Sequence, residues 1–422
     1  MTEGTESFIA SAFVFVMSES VPFNFFIDIR LFLHYNIVVI KLWSVCMKLE
    51  LVATCLFGLE HLLGEEIDAL GYERLETIDG RVTFLGDERA VYCANLHLRF
   101  AERVFIKLGS FRAETFEELF EGTKALEWEK FIGSEDAFPV KGHSIKSTLF
   151  SLPDCQSIVK KAVVQRLSSV YGISWFKEEK TKYQIEFFIL KNVATLMIDT
   201  TGIALHKRGY RIEAGAAPLR ETLAAAIAAT TRPREDVLLW DPFCGSGTIV
   251  IEAALMMIDC APGISRHFAC EEFDILSDKK IIKEEKERAY SAIKYNSDFE
   301  AFGSDIDESV LEIAKGNAER AGVDDRIKFF KADARKIEKL DRRGTIVCNP
   351  PYGERLMTPR EVEQLYRDMG RAFSKLSPWQ IYILTSAENF QGLYGKRADK
   401  VRKLYNGMIP CSLYQYFRVN KK

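Results

Sequence analysis

The most informative segment of this chain is Thr345-Ile346-Val347-Cys348-Asn349-Pro350-Pro351-Tyr352-Gly353. Its first four residues predict a buried strand, because they are β-branched or apolar and carry no charge. The two prolines lack backbone donors and end the strand. Asn349 then lies at the strand's carboxyl end, where ligands bind in open α/β sheets. Its amide and the flat ring of Tyr352 fit an exocyclic amine on a planar base, with a Pro-Pro turn and a packed tyrosine as the alternative.

A second strand signal lies upstream, over residues 237–241, and ends in Asp241. The turn Gly245-Ser246-Gly247 and an apolar helix follow it. Glycines in such a turn let backbone N–H groups approach a ligand, so the unit predicts a nucleotide-type cofactor site. A phosphate-binding Walker loop is excluded because no Gly-Lys-Ser/Thr occurs there, and a dinucleotide fingerprint fits poorly because its third glycine is absent.

Two further acids follow predicted strands. The strand over 300–304 precedes Asp305-Ile306-Asp307, and the strand over 327–330 precedes Asp333 and Ala334. A carboxylate after the second strand can accept hydrogen bonds from a ribose diol, and one after the third from an adenine amine. Each acid alone is equally a cap or a turn residue, but their shared position favours a cofactor site. Residues 259–299 are predicted to be an insertion, since a minimal unit needs only about 20 residues between the first two acids.

Composition sets limits on the function. A chain of 422 residues predicts two or three domains, and its net charge of −3 gives no global case for nucleic-acid binding. The nine cysteines are scattered and never form C-x-x-C. We therefore expect no zinc or other metal site and no disulfide framework, and a cytoplasmic location.

The first 46 residues differ from the rest. Charged residues break their apolar runs, so neither a membrane span nor a signal peptide is predicted. A strand-like alternation begins at Met47. We expect Met47 to be the natural start and residues 1–46 to be an extension that is disordered or not native.

Residues 47–205 contain two small α/β units. The first reads as strand, helix and a hairpin across Asp79-Gly80. The second carries a basic stretch over 141–182 with an amphipathic helix, Cys155–Tyr171, whose inward face is predicted to hold Ile158, Val163, Leu167 and Val170. A phosphate-tracking surface for RNA would use Lys141, Lys146, Lys160 and Lys161. The alternative is a solvated helix face, and the same two readings apply to the basic run 396–403.

The motifs resemble a known family. The segments 241–248 and 349–352, together with Asp305 and Asp333, are similar to the ordered motifs of class I S-adenosylmethionine-dependent amino-methyltransferases. The wider match, through 206–211, 217–226 and 261–263, resembles the bacterial THUMP-domain RNA guanine-N2 methyltransferases of the large-subunit rRNA type. It covers 47–422. The second catalytic domain of some fused relatives is missing, which implies a single modification.

The resemblance implies an α/β fold in which a C-terminal Rossmann-like class I methyltransferase sheet follows α+β ferredoxin-like and THUMP domains. The implied boundaries are 47–90, 91–202 and 203–422. The implied cofactor is S-adenosyl-L-methionine. Its implied binding residues are Asp241, Gly245, Ser246, Gly247, Asp305, Ile306, Asp333, Ala334 and Asn349.

The implied reaction is methylation of a guanine N2 amine in large-subunit (23S-type) rRNA. The Asn349 side-chain oxygen and the Pro350 carbonyl would accept the amine hydrogens, and Tyr352 would stack on a flipped-out base. Positioning rather than a strong base would supply most of the acceleration. Two alternatives remain open: a DNA or RNA adenine-N6 methyltransferase, and a non-catalytic RNA-binding assembly factor. A nicotinamide-dependent enzyme is disfavoured by the missing glycine and the Pro-Pro pair.

Overall fold

The computed structural model describes residues 48–211, 219–276, 278–352 and 358–417. The extension expected over 1–46 and the start expected at Met47 lie outside the described residues. Two seven-stranded sheets, with helices packed on them, form the described chain. Among these residues no helix combines the length and apolar content needed to cross a bilayer.

The first sheet comes from the N-terminal half. Its strands are β1 (Leu49–Thr54), β2 (Glu73–Ile78), β3 (Arg81–Gly86), β4 (Arg103–Arg112), β5 (Val140–Ile145), β6 (Ile185–Leu190) and β7 (Val193–Asp199). They lie in the order β2-β3-β1-β4-β7-β6-β5, and only the β5–β6 pair is parallel. One edge of β4 pairs with β1 and the other with β7, so the two predicted units share one continuous sheet.

The helices of this half are α1 (Glu60–Ala69), α2 (Glu88–His97), α3 (Phe116–Lys124) and α4 (Leu152–Tyr171). Residues 125–131 read as a helix in the sequence, and this prediction is wrong: the structure has a short 3-10 turn around Trp128, whose indole donates to the Thr123 carbonyl at 2.8 Å. The predicted inward face of α4 is partly wrong. The helix buries Cys155, Val159, Val163 and Leu167, whereas Val170 is exposed, because the helix turns that residue away from the sheet.

The second sheet comes from the C-terminal half. Its strands are β8 (Leu238–Asp241), β9 (Ala301–Asp305), β10 (Ile327–Lys331), β11 (Gly344–Cys348), β12 (Gln380–Thr385), β13 (Lys400–Asn406) and β14 (Ile409–Tyr416). The helices are α5 (Glu221–Thr231), α6 (Thr248–Met257), α7 (Lys279–Ser291), α8 (Glu308–Ala321), α9 (Pro359–Ser374) and α10 (Phe390–Tyr394). The strand order is β10-β9-β8-β11-β12-β14-β13, with the first five parallel and β14 antiparallel to both its neighbours.

The core of this half lies between the sheet and α9. Tyr366 and Phe373 of α9 are buried against Ile346 of β11 and Ile383 of β12. The chain changes direction along the sheet between β8 and β11, which are adjacent although far apart in sequence. Such a switch point opens a crevice at the carboxyl ends of the strands. Asp241 and Asn349 follow the two strands that border this crevice.

A buried ionic cluster joins the two halves. The Glu252 carboxylate on α6 lies 3.5 Å from an Arg99 guanidinium nitrogen and 3.6 Å from Nε of Arg208, and it accepts a 3.0 Å hydrogen bond from the Tyr210 hydroxyl. Arg99 belongs to the first half, so it ties that half to the helix that follows the glycine turn.

In the insertion, Glu284 and Glu285 of α7 accept hydrogen bonds from Arg89 of α2.

Candidate functional site

The glycine turn links the ends of β8 and β9. Gly245 (φ +49°) and Gly247 (φ +79°) adopt left-handed conformations that favour glycine. A Cβ on Gly247 would lie 3.2 Å from the ring of Phe329, so a side chain there would also press on that ring. The Gly245 N–H donates a 3.0 Å hydrogen bond to the carboxylate of Asp305. Ser246 lies just before α6. The first backbone N–H groups of α6 have no partner within the helix, and they lie at its crevice end.

Asp305 ends β9 with a partly exposed carboxylate. One oxygen accepts from Gly245, and the other accepts a 3.1 Å hydrogen bond from the Asp307 N–H. The next side chain, Ile306, is mostly exposed. A fixed acceptor beside an exposed apolar side chain has the character of a site for a ribose and its planar base. The roles of Asp305 and Ile306 in cofactor binding remain predictions.

Asp333 is already paired. Its carboxylate accepts from the Arg335 N–H at 3.0 Å and from the Arg335 guanidinium at 2.8 Å. The Arg335 side chain is the main reason why the pKa of Asp333 is lowered. The neighbouring Ala334 is buried. An adenine amine would therefore meet a carboxylate held in place by an arginine.

Asp241 is the last residue of β8 and precedes the glycine turn. Its carboxyl is buried and accepts a 3.0 Å hydrogen bond from the Phe243 N–H. Burial raises the pKa of Asp241 to about 8, the Asp305 carboxylate adds to that rise, and the Phe243 N–H opposes it. This hydrogen bond stabilises the backbone that leads into the glycine turn. A direct contact with cofactor remains a prediction.

Asn349 carries one of nine buried side-chain polar atoms that lack a hydrogen-bond partner among the described residues, and it is the one that follows a strand at the crevice. The strand is β11, and the unpaired atom is the Asn349 side-chain oxygen. Leaving a buried acceptor unpaired costs about 1–3 kcal/mol. Buried polar atoms are nearly always paired, so an orphan in a crevice indicates that a ligand supplies the donor. The site therefore fits a ligand with an N–H group at this point.

The rest of the Asn-Pro-Pro-Tyr turn is anchored by distant residues. The Pro351 carbonyl accepts a 3.1 Å hydrogen bond from the Tyr366 hydroxyl. The Tyr352 hydroxyl accepts one of 2.9 Å from the Asn406 amide and contacts Sγ of Cys411 at 3.9 Å. Burial raises the pKa of Tyr352 to about 12. Pro350 is buried. Tyr366, Asn406 and Cys411 were missed in the sequence, where no local signal connects them to the turn.

The four lysines proposed for RNA differ in their surroundings. Lys141, Lys146 and Lys161 are exposed and have no carboxylate partner among the described residues. Lys160 instead donates to the Phe138 carbonyl at 3.1 Å and pairs with Glu178 at 2.6 Å. RNA binding by this set remains a prediction, and the three exposed lysines are the members available for it.

A basic cavity of about 580 Å³ lies at the segment joining the halves. Its lining consists of Ile203, His206, Lys207, Gly209, Arg211, Glu221, Arg266 and His267. Arg211 pairs with Glu221 at 2.8 Å and reaches the Thr248 hydroxyl of α6 at 3.4 Å. The cavity therefore adjoins the helix of the glycine turn. The sequence indicated this basic segment as a domain boundary and as part of the family resemblance, not as a cavity.

One group in the described residues has the composition of a metal site. Side-chain ligand atoms of Cys93, His97 and Glu285 lie within 4.8 Å of one another. Arg89 and Arg288 already neutralise the Glu285 carboxylate, so the group is also explained as an ionic contact between α2 and α7. The expectation that the chain holds no metal remains a prediction.

Three family models match the chain in succession. A model described as an RlmL ferredoxin-like domain matches residues 50–105, a THUMP domain matches 113–199, and an RMKL-like methyltransferase domain matches 208–415. The predicted fold class, with this order of domains, is confirmed. The exact boundaries at 90/91 and 202/203 remain predictions.

Two relatives match over most of this chain. It is 45% identical over 372 residues to "Putative RNA methyltransferase YpsC" of Bacillus subtilis (strain 168), covering 88% of this chain and 96% of that protein. It is 34% identical over 369 residues to "Ribosomal RNA large subunit methyltransferase K/L" of Aliivibrio salmonicida (strain LFI1238), covering 85% of this chain. The match covers 52% of the K/L protein, so the chain spans about half the length of that relative.

Solved structures share the fold. SMU.472, solved in complex with SAH, matches with a TM-score of 0.84 and 38% identity over 89% of this chain and 100% of that one. A structure from Listeria monocytogenes str. 4b F2365, described as a "predicted N6-adenine-specific DNA methylase", matches with a TM-score of 0.83 and 44% identity over 90% of this chain and 98% of that one. Both likenesses extend through both sheets.

Proposed function

Because this chain belongs to the RMKL-like methyltransferase family, with its ferredoxin-like and THUMP domains, we propose that it methylates the exocyclic N2 amine of a guanine in large-subunit ribosomal RNA. The cofactor is S-adenosylmethionine, which supplies a methyl group activated by its positive sulfur when it is bound. The residues at the crevice fit that group: a glycine turn, a carboxylate after the second strand and a paired carboxylate after the third.

The observation that carries the proposal is the unpartnered Asn349 oxygen. An exocyclic amine has two hydrogens and a lone pair delocalised into the ring, and it is a poor nucleophile for that reason. Asn349 accepts one hydrogen and the Pro350 carbonyl the other, which directs the lone pair toward the methyl group. Tyr352 holds the base by its ring, while Asn406 holds the Tyr352 hydroxyl.

The chain needs no strong base for this step. Burial raises the pKa of Asp241 to about 8, but the observed hydrogen bond of its carboxyl is with the Phe243 N–H. Fixed acceptors and a fixed ring supply orientation, which accounts for large accelerations without proton abstraction in the rate-limiting step. The amine loses its proton to water after it has become cationic.

RNA as the substrate is supported by the THUMP match and by the names of the two relatives. The exposed Lys141, Lys146 and Lys161 and the basic cavity offer phosphate contacts, although the net charge of the chain is slightly negative. Local basic surfaces on a near-neutral protein are sufficient for such contacts.

The test is a comparison of large-subunit rRNA from a strain with the gene and a strain without it, with modified nucleosides mapped by mass spectrometry. We expect one N2-methylguanosine to disappear on deletion and to return with the wild-type gene but not with Asn349→Ala. An unchanged rRNA profile contradicts the proposal.

The adenine alternative is favoured by one relative's description as an N6-adenine-specific DNA methylase. To distinguish this alternative from the proposal, purified protein is given labelled cofactor and nucleic acid from the deletion strain that has been treated with either RNase or DNase. Label in DNA, or in N6-methyladenosine, supports the alternative; label in RNA as N2-methylguanosine supports the proposal.

A further inference from the structure

The β13–β14 hairpin ends beside the turn that holds Asn349. Asn406 closes β13 and pairs across a two-residue turn with Ile409 of β14. The Asn406 amide donates to the Tyr352 hydroxyl, and Cys411, on the same face of β14 as Ile409, contacts that hydroxyl too. A single hydrogen bond therefore links the end of β13 to Tyr352, which belongs to the same turn as Asn349.

The tip carries apolar side chains in solvent. Met408 is 93% exposed and Ile409 is 41% exposed. On the opposite face of β13, next to Asn406, Tyr405 is 36% exposed, and its ring lies 5.8 Å from that of Phe57, which is 50% exposed. Exposed apolar side chains gathered at one end of a hairpin mark a contact with another molecule.

The same hairpin is basic. Lys400, Arg402 and Lys403 of β13 have no carboxylate partner among the described residues. Apolar and aromatic side chains alongside unpaired cations are the combination that binds single-stranded nucleic acid, through base contacts and phosphate contacts together. A protein partner would be favoured by an apolar surface without this excess of positive charge.

The hairpin is also held from the other side. Gly58 (φ +91°) lies so close to β13 that a Cβ there would be 2.7 Å from the Lys403 carbonyl oxygen. The loop of the first sheet that contains Phe57 thus packs directly against the strand. A tip fixed both to this loop and to Tyr352 stands in a constant position relative to Asn349.

We propose that the tip of this hairpin, with Met408 and Ile409, binds the unpaired RNA nucleotides next to the target base. The apolar side chains contact the exposed faces of the flanking bases, as apolar wedges do where a base leaves the stack. Lys400, Arg402 and Lys403 contact the backbone. This inference rests on the proposed function, because it needs RNA at the site.

The experiment measures methyl transfer to total RNA from the deletion strain. The double variant Met408→Ser, Ile409→Thr is compared with wild type and with Tyr295→Ser, which removes an exposed aromatic ring that precedes β9, at the opposite end of the sheet. We expect the double variant to raise the KM for RNA about tenfold or more, with the Kd for S-adenosylmethionine unchanged. Tyr295→Ser should leave both values unchanged.

A second arm reverses charge. Arg402→Glu with Lys403→Glu should reduce the dependence of RNA binding on salt concentration, because fewer counterions are released. The hairpin proposal alone is overturned if the wild type methylates RNA and the double variant has an RNA KM within twofold of the wild-type value. It is also overturned if the double variant loses binding to a protein partner and keeps its binding to RNA. A wild-type protein that methylates no RNA overturns the proposed function itself. Equal melting temperatures for all variants confirm that they fold.

Discussion

The amide of Asn406 donates a 2.9 Å hydrogen bond to the hydroxyl of Tyr352, which lies 54 residues earlier in the chain. The tyrosine ring therefore has its position set by the far edge of the sheet and not by its own turn. A ring that is already oriented loses less conformational entropy when a base stacks on it.

We expect Asn406 to act through Tyr352. Asn406→Ala and Tyr352→Phe should each lower kcat/KM for RNA several-fold, and the double variant should be no worse than either alone. The measurement is a double-mutant cycle on methyl transfer, with Asn296→Ala, at an exposed site, as the control. Additive losses would mean that Asn406 only stabilises the hairpin.

Asn349→Ala should separate activity from stability. Loss of the acceptor should lower kcat about 10²–10³-fold, as removal of one fixed hydrogen-bonding group does in other active sites. It should also raise stability of the free protein by about 1 kcal/mol, because an unpaired buried oxygen is removed. Activity assays and urea unfolding give the two values. Methyl transfer within tenfold of wild type would end the role assigned to Asn349.

Asp305→Ala should weaken cofactor binding. The variant loses both a ligand for the ribose and the partner of the Gly245 N–H, so the glycine turn is less fixed. We expect the Kd for S-adenosylmethionine to rise at least tenfold by calorimetry. Asp307→Ala is the matched control: it removes the cap of α8, which costs about 1 kcal/mol of stability, but should leave that Kd unchanged.

Asp241→Asn should make stability less dependent on pH. The pKa of Asp241 rises from 3.8 in the unfolded chain to about 8 on folding, so the folded state favours the protonated form. Its contribution to stability is fully present below pH 3.8 and is lost as pH rises toward 8. The asparagine variant avoids that loss, and its advantage over wild type should grow from about 2 kcal/mol at pH 5 to about 5 kcal/mol at pH 8, as upper values.

Urea unfolding at both pH values measures this advantage. The direction of the trend is the test. An advantage that shrinks between pH 5 and pH 8 would contradict a protonated Asp241 in the free protein.

Glu252→Gln should loosen the junction of the two halves. The substitution removes the carboxylate that faces both Arg99 and Arg208 and leaves Glu66 as a buried acid near them, and breaking a buried pair costs about 3–5 kcal/mol. Urea unfolding is the measurement. Asp236→Asn, which removes the partner of Arg343 in an exposed pair, should cost less than about 1 kcal/mol. Similar losses in the two variants would show that Glu252 is not the anchor.

The positions of the crevice residues at strand ends could be predicted from the sequence because they depend on local patterns. Strands that end in Asp241, Asp305 and the Asn349 turn place each residue at a carboxyl edge, and the chain order of these motifs gives the parallel sheet. The segment 99–108 reads as a strand in the sequence, which places β4 about four residues early, because Arg99 and Phe100 look like strand residues. Their N–H groups instead bind the carboxylate of Glu66, and β4 begins only at Arg103.

Sequence patterns alone were enough to predict the order of domains and to place the glycine turn and the Asn349 turn at strand ends, since each depends on short-range patterns of apolar residues, glycines and prolines. The contacts that support these turns became visible only in the folded chain. Asn406 with Tyr352, Phe57 with Tyr405, and Glu252 with Arg99 are pairs that lie 54 or more residues apart, and no periodicity connects their members. Such residues come into contact only when distant segments of the chain pack against each other, and local sequence patterns do not predict these contacts.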